Sequence, residues 1–460
     1  MTLSRRRLLA EGTAVAGVSL AFQGSLAALF TGTAAAAPPK RGYGRLVEDP
    51  DGVLDLPRGF SYRILSREGD ELRSGEGLVP SRADGMGVFG RGVGRPADRL
   101  VRNHECHPSA PHHVPRGSHT YDPEGAGGTT TLVLGPRGAV AEEYVSLSGS
   151  AVNCAGGETP WHTWLTCEET EKRAGEDGYT KDHGFIFEID PFDRARNADP
   201  VPLTAMGRYP HEAIAVDPRT GRVYETEDSF DHPFGLFYRF SPNKPMGGYG
   251  SLRAGGLLEA LRVPGVADLS TVSEAGTEFT DVEWVEVPDP LASSEGIRFQ
   301  DFAGGPMTHS QKLEGCWWGQ DGVFFSASFA KLSDGSEATH DGQIWHYQPD
   351  RNLLRLAVIF RRDPDTAEDQ LFQTPDNICV SPYGGLMVCE DGDGENYLIG
   401  VTEAGEPYLF GRNRQNVGTA AEPKFAELTG VSFADNARTM YVNCYNPGTT
   451  FAITGPWRRR

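Results

Sequence analysis

Hydrophobic and polar positions alternate along much of this chain in short runs, and one kind of run recurs: a β-rich stretch that ends on a polar or acidic tip. The copies are LVRNHE (Leu100 to Glu105), WLTCEE (Trp164 to Glu169), VYETED (Val223 to Asp228), VFFSAS (Val323 to Ser328), LMVCED (Leu386 to Asp391) and MYVNCYN (Met440 to Asn446). Their first residues lie 64, 59, 100, 63 and 54 positions apart, a roughly regular spacing with one insertion between the third and fourth copies. A turn precedes most copies, as in DPRTG (Asp217 to Gly221) and SPYGG (Ser381 to Gly385), and before it sits another β-like run: HEAIAV (His211 to Val216), EGCWW (Glu314 to Trp318) or DNICV (Asp376 to Val380). A third run follows, such as GFIFEI (Gly184 to Ile189) and GLFYRF (Gly235 to Phe240). In an antiparallel hairpin the start of the first strand lies beside the end of the second. Glu212 is therefore expected near Glu227 and Asp228, and Asp376 near Glu390 and Asp391. Units of three or four strands recurring about every 60 residues predict an all-β, six-bladed β-propeller.

Residues 241–307 break the rhythm. They hold LLEALRV (Leu257 to Val263), of helical character, and are expected to form an insertion lying over one face, with elongation of a blade as the other reading. Residues 38–57 are a Pro/Gly-rich lead-in with no visible periodicity.

The N-terminus changes the picture of where the protein works. Arg5, Arg6 and Arg7 precede Leu8 and Leu9, a moderately apolar run follows, and Ala34 to Ala37 offer a cleavage site. This pattern predicts a twin-arginine signal over residues 1–37 ahead of a single propeller domain over residues 38–460. Export by the twin-arginine machinery and secretion are expected, without a stable membrane anchor, because Glu11 and Gln23 interrupt an already short apolar run. Loss of residues 1–37 removes three arginines and one glutamate, so the net charge moves from −20 to −22. Such a surface repels nucleic acid and anionic lipid, and an anionic substrate would need a locally positive site. A monomer acting on a small molecule is expected.

The seven cysteines are an odd number, which leaves at least one without an intramolecular partner, and no CxxC pair marks a zinc knuckle. In a propeller the inner hairpin ends converge on the channel. Here that ring would hold Glu105, Glu168, Glu169, Glu212, Glu227, Asp228, Glu314, Asp376, Glu390 and Asp391. Carboxylates packed this closely raise one another's pKa and call for bound cations, with Ca2+, Fe3+ and Mn2+ as hard-ligand candidates. Cys154, in a Gly-rich stretch, would add a softer ligand that favours iron or another transition metal over calcium; an inert buried thiol is the other reading.

NCAGG followed by TPW and LTCEE (Asn153 to Glu169), HEA (His211 to Ala213) with TED (Thr226 to Asp228), LEG with its aromatic pair (Leu313 to Trp318), TPDN (Thr374 to Asn377) and the C-terminal TFAITGPW (Thr450 to Trp457) together resemble the PhoX-type alkaline phosphatases, in order and over nearly all of the mature chain. The resemblance implies an exported six-bladed propeller that hydrolyses phosphate monoesters with an oxo-bridged Fe/Ca cluster. Cys154 would then be the thiolate ligand of iron, with Glu168, Glu169, Glu212 and Glu314 as further cofactor ligands. Glu227, Asp228, Asp376 and either Glu390 or Asp391 would be calcium ligands, and Lys312 and Glu314 the catalytic residues. Two positions depart from the family pattern. Lys312 stands where the better-known branch has a phosphate-contacting Arg, which keeps the charge and loses the bidentate fork. His162 stands where the family usually has Gly, and it could contact substrate, add a ligand or fill space. Rival readings are a calcium-dependent lactonase or esterase propeller, in which Cys154 has no role, and a non-catalytic metal-stabilised binding propeller.

Overall fold

The structure, a computed structural model, describes residues 42–90, 97–328, 340–361, 372–392 and 394–458. The expected signal segment over residues 1–37 lies outside them. Within this range the only helical pieces are short 3-10 turns, and no helix is long and apolar enough to cross a membrane.

Six antiparallel sheets form the blades of a propeller. Blade 1 runs Ala83–Phe89, Asp98–His104, Gly127–Leu134 and Val140–Ser150; blade 2 is Asn153–Glu158, Trp164–Glu168 and Ile186–Ile189. Blades 3, 4, 5 and 6 open on the inner strands His211–Val216, Leu313–Trp318, Pro375–Val380 and Leu428–Phe433. Their second strands are Val223–Glu227, Val323–Ala327, Leu386–Glu390 and Thr439–Cys444, so every recurring run read from the sequence is the second strand of a blade. Blade 6 is closed by a strand from the other end of the chain, Ser61–Arg67 against Thr449–Thr454. That pairing ties the termini together and covers an open sheet edge.

Both unpatterned segments contribute strands to the blades. Leu257 to Val263 is not helical: Gly256–Arg262 pairs with Gly235–Pro242 in the register Tyr238↔Ala260 and Phe240↔Leu258. Leu, Ala, Glu and Arg favour a helix, yet a free edge of blade 3 offers a full ladder of backbone bonds and an apolar face, and tertiary pairing overrides propensity. Glu283–Glu286 pairs in turn with that strand, so this part of the 241–307 segment elongates blade 3. The lead-in supplies Leu54–Pro57, which pairs with the Pro407–Asn413 strand of blade 5.

Apolar side chains fill the six gaps between neighbouring blades. Phe89, Trp164 and Phe187 sit between blades 1 and 2, and Ile186, Leu236 and Tyr238 between blades 2 and 3. Phe237 and Phe325 stack with ring centroids 4.0 Å apart between blades 3 and 4. Buried Arg102 of blade 1 crosses to blade 6, its Nη1 donating to Thr450 Oγ1 at 2.7 Å, while its Nη2 pairs with Glu143 at 2.9 Å. At the centre the inner strands approach too closely for side chains: a Cβ on Gly85 would lie 2.5 Å from Ala155 Cα.

Candidate metal centre

The mouth is built from one backbone device used six times. The residue that follows each second strand donates its N–H to the carbonyl of the residue that precedes the inner strand. The pairs are Glu105 to Arg82 (3.0 Å), Glu169 to Val152 (2.9 Å), Asp228 to Pro210 (3.1 Å), Ser328 to Lys312 (2.9 Å), Asp391 to Thr374 (3.1 Å) and Tyr445 to Glu427 (3.2 Å). Four of the acceptors are non-glycine residues in the left-handed region: Arg82 (φ 56°), Val152 (φ 51°), Lys312 (φ 44°) and Thr374 (φ 41°). Such a conformation costs about 1–3 kcal/mol each and persists where the surroundings impose it. Immediately afterwards each inner strand slips register, between Ala83 and Met86, Asn153 and Gly156, His211 and Ile214, Leu313 and Cys316, and Pro375 and Ile378. Bulges of this kind re-aim side chains. The residues they present are Asp84, Cys154, Glu212, Glu314 and Asp376. In blade 6 the slip comes one rung later, between Thr429 and Ser432, so that glycine (Gly430) takes the bulge position and Glu427 supplies the acid instead.

These side chains converge. Ligand atoms of Cys154, Glu169 and Glu212 lie within 4.8 Å of one another, as do those of Glu212, Glu314 and Asp376. Burial, then the facing Glu314, Glu169 and Asp376, push Glu212 well above the usual carboxylate range. Burial and neighbouring carboxylates do the same to Asp84, Glu169, Asp376 and Glu427, and bring Asp228 up to about 8. Lys312 brings a positive charge into the pool, its Nζ 2.9 Å from Glu314 Oε1 and 3.6 Å from Asp391 Oδ2. Burial works against its charge, but Glu314, Asp228 and Asp391 hold its pKa above the ordinary lysine value. Ser328 Oγ donates to Glu314 Oε1 at 2.9 Å and fixes that carboxylate's orientation. The Cys154 thiol, pushed up by burial and by Glu212 and Glu169, faces the carbonyls of His211 (3.3 Å) and Glu212 (3.5 Å).

Three acids expected in this pool are turned away from it. Glu168 Oε1 accepts from Ala151 N (2.9 Å) and meets His183 Nδ1 (2.7 Å), while its Oε2 accepts from Gly184 N (2.9 Å) and Phe185 N (3.0 Å). Glu227 accepts from Leu236 N (3.0 Å) and Arg298 Nη1 (3.0 Å), and Glu390 from Gln373 N and Tyr397 N (3.0 Å each). Adjacent strand residues point to opposite faces, so the first acid of each pair anchors its own blade and only the second reaches the mouth. Glu168, Glu227 and Glu390, expected among the metal ligands, are thus placed in these hydrogen bonds and apart from the converging group. His162 is exposed with φ 65° in the connection between Asn153–Glu158 and Trp164–Glu168, at the far end of that hairpin from Cys154. The family's Gly suits that conformation, and the position is remote from the mouth.

Asp84, Glu427 and Arg82 did not stand out in the sequence. Asp84 had a readable signal, since ADG matches HEA and LEG in placing an acid before a small residue at the start of an inner strand. Glu427 had none, because it belongs to the one blade that breaks the pattern. All seven cysteines are buried and unpaired.

The donor set suits a mixed cluster: one thiol with carboxylates fits iron, and the surplus of hard oxygens fits calcium. Asp84 Oδ1 and Asp228 Oδ1 are buried with no hydrogen-bond partner among the described residues, as oxygens aimed at a cation would be.

Fold and site together define a six-bladed propeller enzyme with an acidic mouth. Residues 41–448 match the family model described as "Alkaline phosphatase PhoX", and the chain belongs to that family; it is a phosphatase. Among solved structures it is similar to Pseudomonas fluorescens PhoX in complex with vanadate, a transition state analogue, with a TM-score of 0.62 at 17% identity over 88% of this chain and 96% of that one. A Xanthomonas campestris gluconolactonase, XC5397, aligns with a TM-score of 0.42 at 14% identity over 91% of this chain and 99% of that one. No curated protein matches it in sequence. The phosphatase family displaces both the lactonase and the binding-module readings.

Proposed function

We propose that the protein is an exported phosphomonoesterase whose mouth holds iron and calcium. The observation that carries this reading is the convergence of Cys154, Glu212, Glu314 and Asp376, each presented by the bulge of a separate inner strand, with Glu169 from the tip of a second strand. Cys154, Glu169 and Glu212 would hold iron; Asp84, Asp228, Glu314 and Asp376 would complete the oxygen shell for calcium. Bound there, the metals would supply Lewis-acid neutralisation of the phosphoryl oxygens and activate the attacking nucleophile. The chain's own groups do the rest. Lys312 binds the phosphoryl group through charge, and Ser328 keeps Glu314 oriented. Export by the twin-arginine route rests on Arg5 to Arg7 and the apolar run behind them.

The test is hydrolysis of p-nitrophenyl phosphate at alkaline pH before and after exhaustive chelation. Activity that disappears on chelation and returns with iron and calcium supports the proposal. Full activity in chelator-treated, metal-free protein contradicts it.

A further inference from the structure

Lys312 has a counterpart on the opposite side of the mouth. Arg82 occupies the same position in blade 1 that Lys312 occupies in blade 4, and blades three apart in a ring of six face one another. The equivalence is in the backbone. Each residue accepts the N–H of its blade's tip residue, Glu105 at 3.0 Å and Ser328 at 2.9 Å. Each has a left-handed φ, 56° and 44°, and each stands two residues before a bulge acid, Asp84 and Glu314. Their side chains differ in commitment. Lys312 is held by Glu314 and Asp391 and is buried. The Arg82 guanidinium is half-buried and makes no hydrogen bond or ion pair among the described residues. It lies over the Tyr445 ring, 4.8 Å from the centroid, and Tyr445 is the blade 6 tip beside Glu105, Glu427 and Asp84. A cation–π contact fixes the plane of a guanidinium without using its N–H donors.

We infer that Arg82 is a substrate-binding residue that grips the phosphate ester through its forked N–H donors from the side opposite Lys312. The inference rests on the phosphatase reading of this mouth. A lysine at position 312 offers point charge and no planar fork, and bidentate recognition of a phosphate needs a guanidinium. Arg82 returns that geometry to a chain whose other mouth cation is a lysine.

The test compares wild type with Arg82→Ala, Arg82→Lys and Arg82→Ala/Lys312→Arg. It uses titration calorimetry with inorganic phosphate on the metal-loaded proteins, alongside kcat, KM for p-nitrophenyl phosphate, metal content and Tm. Arg82→Ala is expected to weaken phosphate binding and raise KM at least about tenfold, with metal content and Tm unchanged. Arg82→Lys should recover only part of the affinity, and the added Lys312→Arg should restore more of it. Wild-type phosphate affinity and KM in a metal-replete Arg82→Ala protein would overturn the inference, as would loss of affinity only in step with loss of metal. If wild type with full metal content hydrolyses no phosphate ester, it is the proposed function that fails, and the phosphate calorimetry still reports on Arg82.

Discussion

Glu168 and Glu169 are adjacent in sequence and belong to different systems: Glu168 takes Ala151 N, Gly184 N, Phe185 N and His183 inside blade 2, while Glu169 joins Cys154 and Glu212 at the mouth. The same division separates Glu227 from Asp228 and Glu390 from Asp391. One face of each strand end holds the blade shut, and the other face serves the channel.

This division predicts opposite phenotypes for neighbouring substitutions. Glu168→Ala leaves buried amides and His183 without an acceptor, at about 1–3 kcal/mol for each unsatisfied group. It should lower the stability of metal-free protein by several times that unit. Glu169→Gln should barely move the metal-free Tm and should reduce bound iron. Denaturation of chelator-treated proteins together with metal analysis separates the two, and equal effects on both readouts would contradict the assignment.

Gly430 is required by position. Its φ is 60°, and a Cβ there would lie 2.4 Å from the carbonyl oxygen of Asp84. Gly430→Ala should therefore cost about 1–3 kcal/mol from the backbone alone, more with the clash, and should disturb Asp84. Urea denaturation checks this; wild-type stability would contradict it.

Glu158 gives a pH signature remote from the mouth. It lies at the opposite end of its strand from Cys154 and accepts from Val88 N at 2.7 Å, and burial raises its pKa from 4.5 to about 7. The folded state therefore holds a proton that the unfolded chain releases near pH 4.5. Its contribution is fully present below that value and is lost as pH rises through about 7. Glu158→Gln should flatten the fall in stability over this window and should raise stability relative to wild type at pH 8. An unchanged pH profile would contradict the assignment.

The blades were legible because their second strands carry a run of β-formers up to a polar tip, and the hairpin rule then paired Glu212 with Asp228 and Asp376 with Asp391. What periodicity could not resolve was facing. At a strand end one residue of slip exchanges blade interior for channel, so Glu168, Glu227 and Glu390 looked equivalent to their neighbours. The bulges that aim Asp84, Cys154, Glu212, Glu314 and Asp376 leave no trace in hydrophobic patterning, because the extra residue interrupts the alternation where it matters. Blade 6 hid Glu427 by shifting its bulge one rung. The strand Gly256–Arg262 was misread because its helix-forming composition is local, whereas the edge it completes is distant in sequence.

The most direct test of the central claim is elemental analysis of the purified protein beside its Cys154→Ser variant. Iron and calcium in the wild type, with iron lost, calcium largely retained and p-nitrophenyl phosphate hydrolysis abolished in a folded Cys154→Ser protein, is the predicted result. Calcium alone in the active wild type, or full iron and full activity in Cys154→Ser, would contradict it.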